Sequence, residues 1–457
     1  MMAPVATRRS EVAMLEAGRD DLTQLVEADR VHRSVYGDAT IYERELETIF
    51  HQAWIYVGHE SQVKRPGEYV TALIGRQPMI MVRHSDGRIH VLYNRCAHRG
   101  AMLCGNQHGN TGKLFSCSYH SWQYKTDGTL ETIPLPKGYE GTRLAPGDSE
   151  YNLKRAARVD SYRGFVFASL AADGPSLPEF LGGASIAFDD MCDRAPKGEV
   201  EIVPYCFRMV QHSNWKIFME NQLDALHPSV THESIGRAAT EVERELTRRK
   251  GRAPLDYHYL SAVSLPFHKW DQLQTVNYPY GHSILQGYMG LRPRDPDTLA
   301  YEAIMRKHHG AKRTEQILGV NIHHVLIYPG LSVQPQLQQL RAVRPLGVDR
   351  TLTELWHFRL KGAPEAMYRR ALGYYNLINS PSTMVNADDL ENFWRCHQGL
   401  ASEGGDWVSF HRLAGQDDQE DGVIKSRRGT SEAPMRNQFR AWKQYLTGGV
   451  RNGHREA

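Results

Sequence analysis

No apolar stretch among the 457 residues approaches the ~18 that a membrane-crossing helix needs, so no transmembrane α-helix is expected. Charge of one sign is also scarce. Fifty-five Lys and Arg stand against 52 Asp and Glu, and the resulting +3 gives no electrostatic reason to expect nucleic acid or an anionic membrane as partner. The six cysteines (Cys96, Cys104, Cys117, Cys192, Cys206 and Cys396) are too sparse for a disulfide framework in a chain this long. A Gly-rich dinucleotide fingerprint is missing, so any nicotinamide cofactor would have to act through another protein. Arg8-Arg9 imitates an export signal, but only residues 12–15 are apolar before Glu16, Arg19, Asp20 and Asp21 intervene, and a soluble cytoplasmic protein is expected.

What is present points to an ordinary globular chain of two to three domains, at roughly 150 residues per domain. Twenty-two histidines are the informative excess, because imidazole is the commonest metal ligand. Ile41, Glu45, Ile49, Phe50 and Trp54 recur at helical spacing and predict an amphipathic entry helix. From about Gly67, short β-branched segments (69–74, 79–82, 89–93) separated by Asp-Gly and other Gly turns predict a small antiparallel β module running to about residue 165. Beyond it, longer strands are expected at 325–328, 337–343 and 351–360, with helices at 214–227, 364–379 and 435–447, an α+β pattern. The charged stretches 241–252 and 306–315 suit solvated helix faces, and 402–434 a long surface loop.

The β module carries Cys96-x-His98, eighteen residues, then Cys117-x-x-His120. A structural zinc site, a [2Fe-2S] centre with two His ligands and accidental register compete to explain it. Zinc ligands usually pair two to four residues apart, and the single residue between Cys96 and His98 is tight for one ion. A Rieske centre suits that gap, since each loop places its Cys on one iron and its His on the other, and neutral imidazoles raise the reduction potential. Cys104, between the loops, is expected to be a buried small residue.

The second constellation lies in a segment expected to be helical, where Asp224 and His227 at i, i+3 share a face, with Glu220 one turn earlier and His232 following. On a continuous helix His232 would sit 140° from His227, so one metal can take both only if the chain breaks between them, and Pro228 offers a break. A facial triad, two His and one carboxylate, leaves open positions for O₂ on non-heme Fe(II). Asp388 and Asp389, near the start of another helical segment, both offer the carboxylate, though adjacent acids there also suit the helix dipole. An Fe-S carrier and an open Fe(II) triad together are the parts needed to feed electrons to O₂.

On these motifs the sequence resembles the alpha (large) subunit of Rieske non-heme iron aromatic-ring-hydroxylating oxygenases. The likeness runs from the entry helix with Trp54, through the two Cys/His loops, Glu-Asn-x-x-Asp-x-x-His-x-x-x-x-His and Asp-Asp-x-Glu-Asn, to the terminal helix from Met435. It implies an α+β fold with three parts: an N-terminal helical segment (1–45) packing on the catalytic domain, a small antiparallel β Rieske [2Fe-2S] domain (46–165), and a larger catalytic domain (166–457) with an antiparallel sheet flanked by helices. It implies that Cys96 and Cys117 hold one iron and His98 and His120 the other, and that His227, His232 and Asp389 bind the mononuclear iron. Asp224 would bridge to a cluster His of a neighbouring subunit in a trimer, with or without a beta subunit, and Asn221 and Gln222 would contact substrate. Two departures stand out. Ser121 replaces the usual Gly after the second cluster His, and Gln222-Leu-Asp with His227-Pro replaces aromatic and glycine neighbours, implying a more polar pocket floor.

The resemblance implies reductive O₂ activation and cis-dihydroxylation of an aromatic, polar- or acid-substituted substrate, with NADH electrons arriving through a reductase or ferredoxin. Its rivals are a Rieske monooxygenase or O-demethylase on the same metals, a Rieske electron carrier without catalysis, and a zinc-stabilised binding protein.

Overall fold

Ile41, Leu46, Ile49 and Phe50 are buried along the inner face of helix Ala39–Gln52 in the computed structural model, which describes residues 22–144 and 149–448. Arg8, Arg9 and residues 12–15 lie outside the described residues. Asp38 caps the helix by accepting from the amides of Thr40 and Ile41. The helix passes through the boundary expected at residues 45 and 46, so entry segment and β module share one element.

The β module contains a four-stranded antiparallel sheet in the order Ile89–Tyr93, Gln77–Arg83, Glu68–Ile74, His108–Asn110, and a three-stranded one, Leu114–Ser116, Gln123–Lys125, Leu130–Thr132. Between them lies a small separate core of Ile80, Val82, Leu92, Phe115, Trp122 and Tyr124 that also buries Cys96, Cys104 and Cys117. Cys104 is thus the buried small residue expected.

The larger part is built on a nine-stranded antiparallel sheet in the order Val200–Gln211, Arg350–Leu360, Gln339–Gly347, Leu331–Gln334, Ile322–Ile327, Ser283–Gly287, Gln274–Asn277, Val423–Ser426, Asp418–Glu420. Helices pack around it, and the class is α+β. Two expectations need correction. The stretch 402–434 is not only loop: it supplies the last two strands of this sheet and Trp407–Ser409, which pairs with Arg30–His32. These strands are three or four residues long and mostly exposed, so they show no alternation. The helix expected over 214–227 ends at Asn221. A turn follows, Pro228 opens the short helix Pro228–Thr231, and helix Glu233–Lys250 carries the charged run, with only Gly236 and Ala239 buried.

One buried cluster ties the entry helix to the helix that begins the second constellation. Glu45 and Lys216 are both fully buried, with Lys216 Nζ 2.5 Å from Glu45 Oε1. Trp215 Nε1 donates to Glu45 Oε2 (2.8 Å) and Trp442 Nε1 to Oε1 (2.7 Å), so one carboxylate joins the entry, Trp215–Asn221 and Ala433–Thr447 helices. Burial pushes the Lys216 ammonium down, and the Glu45 charge opposes that. Glu45→Ala would strand a buried ammonium and two indole N–H groups, and it is expected to lower the unfolding free energy by about 3–5 kcal/mol. Urea titration measures this, and a loss below ~1 kcal/mol would mean that Lys216 finds another partner.

Candidate metal centres

The two cysteine loops close in the same way. Gly100 N donates to Cys96 O (2.9 Å) and Ser121 N to Cys117 O (3.0 Å), each from a residue with left-handed backbone, φ 76° and 55°. Gly100 meets that requirement without strain. Ser121 carries a Cβ there, which costs about 1–2 kcal/mol, and this is the physical content of its departure from Gly. Asn94 is buried and pins the first loop, donating to Cys104 O and accepting from the amides of Leu103 and Cys104.

Inside the loops the thiols are buried and the imidazoles face outward, half-buried. The His98 and His120 rings stand edge to face with centroids 4.6 Å apart, and Trp122 stacks on His98 at 4.8 Å. Tyr124 OH lies 3.2 Å from Cys96 Sγ and accepts from Ala97 N (3.1 Å). Burial pushes the Cys96 thiol up, as for a sulfur with no counter-charge of its own. His98 Nδ1 is buried and unpartnered. Two inward sulfurs and two imidazoles at the rim, one with an orphaned inner nitrogen, fit a [2Fe-2S] cluster with its histidine side toward the surface.

The second centre forms where the helix expected over 214–227 breaks. Asp224 is not on a helix face: its Oδ1 accepts from Leu226 N (2.7 Å) and His227 N (3.4 Å), the side chain taking amides that a continuing helix would use. The break turns His227 toward His232, and helix Met384–Leu400 brings the carboxylates. Asp389 Oδ1 lies 3.6 Å from His227 Nε2 and 3.4 Å from His232 Nε2. One donor atom from each of His227, His232 and Asp389 falls within 4.8 Å of the other two, and Asp389 Oδ1 is buried with no hydrogen-bond partner. Two imidazoles and a stranded carboxylate oxygen fit one Fe(II).

Each histidine also has a carboxylate behind it. Asp224 Oδ2 is 3.6 Å from His227 Nδ1, and Asp388 Oδ2 is 3.6 Å from His232 Nδ1. The neighbouring acids therefore both reach this centre, one between the imidazoles and one behind His232. Asp224 stays ionised: burial pushes its carboxyl up, but the His227 side chain and the turn amides hold it below the ordinary value. Glu220 behaves oppositely. Burial pushes it up to about 8 although Tyr36 OH donates to it (2.9 Å), so at neutral pH it is mostly protonated and leaves the charge to Asp224.

Asn221 and Gln222, expected at the substrate, have protein partners. Asn221 Nδ2 lies 3.1 Å from His227 Nε2 and is thus next to a donor atom of the centre. Gln222 is buried, donates from Nε2 to Asn221 Oδ1 (3.2 Å) and accepts at Oε1 from Arg341 (2.9 Å) and Ser332 (3.2 Å). Its amide is therefore already paired within the protein. Sequence reading missed Arg341 and His324, which sit on strands Gln339–Gly347 and Ile322–Ile327 with no local motif to mark them. A cavity of about 210 Å³ is lined by His258, Tyr259, Leu291, His324, Met367 and Tyr374 among others. None of the three iron-site donors lines it, but His324 also bonds the Gln222 backbone, and burial pushes its imidazole down to about 3, keeping it neutral.

Comparison with known proteins matches both parts of the chain. Residues 53–151 match the Rieske [2Fe-2S] domain and residues 203–448 the ring hydroxylating alpha subunit (catalytic domain). The chain is 32% identical to toluate 1,2-dioxygenase subunit alpha of Pseudomonas putida, with 96% of each chain covered. It is 29% identical to 2-halobenzoate 1,2-dioxygenase large subunit of Burkholderia cepacia over 85% of this chain and 82% of that one. Its fold resembles a solved naphthalene 1,2-dioxygenase with indole bound in the active site, at a TM-score of 0.78 and 24% identity, covering 94% of this chain and 95% of the other.

Proposed function

This chain belongs to the ring-hydroxylating alpha subunits of Rieske dioxygenases, and from that membership we propose that it cis-dihydroxylates an aromatic ring bearing a polar or acidic group. The observation that carries the reading is the pairing of two centres of different kind in one chain: a Cys₂His₂ set with buried thiols and half-buried imidazoles, suited to one-electron transfer, and a His₂Asp set suited to a single metal ion. When bound, the [2Fe-2S] cluster supplies electrons one at a time and the Fe(II) supplies the place where O₂ is reduced. In the overall reaction one aromatic C=C, O₂, two electrons and two protons give a cis-dihydrodiol.

The chain's own residues set the stage for this chemistry. Cys96, Cys117, His98 and His120 would hold the cluster, with Tyr124 polarising the Cys96 sulfur. His227, His232 and Asp389 would hold the iron, and two imidazoles with one carboxylate are a donor set suited to O₂ chemistry. Asp388 and Asp224 stand 3.6 Å behind the two imidazoles, where they would orient them as carboxylates behind metal-bound histidines do. Asp224 is partly exposed beside His227, with its Oδ2 3.6 Å from His227 Nδ1, and a cluster histidine of a neighbouring subunit would meet it there. That reading requires a homotrimer, with or without a beta subunit. Electrons would come from NADH through a separate reductase or ferredoxin, in the cytoplasm, and the outward-facing imidazoles give them an exit. No helix among the described residues is long and apolar enough to cross a membrane.

The test is product analysis with ¹⁸O₂ and a generic reductase over a panel of benzoates. A dihydrodiol carrying two labelled atoms is expected. A product with one labelled atom would replace this reading with monooxygenation, and protein containing two irons per chain rather than three would reduce it to an electron carrier.

A further inference from the structure

Arginine is rarely buried without a carboxylate, and most arginines in the interior of this chain obey that rule. Arg194 pairs with Asp190 (3.1 Å), Arg292 with Glu302 (2.7 Å), Arg344 with Glu354 (3.2 Å) and Arg436 with Asp417 (2.7 Å). Arg341 is the exception. It is 8% exposed, and among the described residues it has no ion pair. Its Nη1 donates to Gln222 Oε1 (2.9 Å) and Nη2 to Gln334 Oε1 (3.3 Å), both neutral amides, while Nε is buried with no partner. Burial pushes the guanidinium down to about 10, and nearby Tyr374 and Asp389 oppose it, so it remains charged at neutral pH. Asp389 makes no ion pair with it and would be taken up by the iron. A buried cation satisfied only by amides costs free energy unless something completes it.

The surroundings say what would. Phe218 lies under the guanidinium, its ring centroid 6.0 Å from Cζ. A cavity of about 20 Å³ adjoins Arg341, walled by Phe207, Phe218 and Tyr375 and by the polar Arg208, Thr353 and Asn386, with room for a water-sized group and not for a ring; Arg208 is already paired with Glu354 (2.9 Å). Through Gln222 the arginine is one side chain from Asn221, which touches the iron-site donor His227. A planar fork of N–H donors, one of them buried without a partner, beside a recess of mixed polar and aromatic lining is matched by a carboxylate.

We propose that Arg341 is the specificity-determining residue of this oxygenase, binding the carboxylate of an aromatic acid while Gln222 orients the guanidinium. This rests on the aromatic-oxygenase reading above and narrows it: the substrate class is the aromatic carboxylic acids, and the neutral amide or hydrocarbon of the same shape is discriminated against.

The experiment compares benzoate with benzamide, a neutral isostere, on the iron-loaded protein with a generic reductase, and follows binding of both to the same iron-loaded protein without O₂ by calorimetry. Wild type is expected to prefer benzoate in both measurements. In Arg341→Gln the benzoate-to-benzamide ratio of kcat/KM should fall at least about 30-fold, mostly through KM, with both metals retained. Arg341→Lys should recover part of the ratio, which a merely structural role would not do, and it also serves if the Gln variant does not fold. An unchanged ratio in either assay, or a wild type that binds benzamide as well as benzoate, overturns the proposal. A product with one labelled oxygen but an intact benzoate preference would overturn the dihydroxylation reading and leave Arg341 standing. If wild type turns over neither probe, the calorimetric ratio decides by the same criterion.

Discussion

Asp224→Asn is expected to give a folded protein that loads both metals, accepts an electron at the cluster and forms at least about 100-fold less product. The turn survives the substitution, because the asparagine carbonyl can still accept from the amides of Leu226 and His227, where Asp224 Oδ1 now does. The other position becomes an NH₂ group facing His227 Nδ1, so the acceptor behind that imidazole is replaced by a donor. The negative charge, which Glu220 does not share in its protonated form, is lost with it. Any hydrogen bond offered from a cluster histidine across a subunit boundary meets the same change. Single-turnover measurement separates the roles: pre-reduced cluster in the Asn variant should reoxidise far more slowly than wild type with substrate and O₂ present. Reoxidation at the wild-type rate would take Asp224 out of the electron path and leave it a turn-forming residue.

Asp389→Ala should reduce iron from three to two per chain and abolish oxygenation while the visible spectrum of the cluster persists. Its Oδ1 is the atom shared between the two imidazole Nε2 atoms, and alanine leaves only two neutral donors. Asp388→Ala distinguishes donor from support. Asp388 stands behind His232, 3.6 Å from Nδ1, so its loss should weaken iron binding by about 10–100-fold without preventing loading in excess iron. Cys117→Ser is the converse control: it should erase the cluster spectrum and leave the mononuclear iron. Iron analysis with electron paramagnetic resonance reads all three. Loss of the mononuclear iron from Asp388→Ala but not Asp389→Ala would show the carboxylate assignment shifted by one residue.

The two centres differed in how far they could be read in advance. Cys96-x-His98 and Cys117-x-x-His120 were legible as a candidate cluster set because all four side chains sit in two short loops, where spacing along the chain is nearly distance in space. The second centre was legible in composition but not in geometry. A helix carrying Asp224 and His227 on one face was the natural reading, yet the Asp224 carboxylate competes for backbone amides and ends the helix at Asn221, and that break is what lets His227 and His232 face one point. The paired acids showed the same limit. Asp388 and Asp389 were both legible as candidates for a single carboxylate, whereas both reach the site at different atoms, since His232 presents one ring nitrogen to each.

The metal chemistry and the α+β class could be read along the chain, because thiolate and imidazole donors, turn glycines and hydrophobic periodicity act over a few residues. Which distant residues meet could be read only from the folded chain. Arg341 reaches Gln222 across 119 positions and Glu45 reaches Lys216 and Trp442 across 171 and 397, and no local pattern announces such partners. Whether a buried charge is paired or left open depends on which strands and helices the fold brings together, and that difference separates Arg344, neutralised by Glu354, from Arg341 three residues earlier, which is left to meet a ligand.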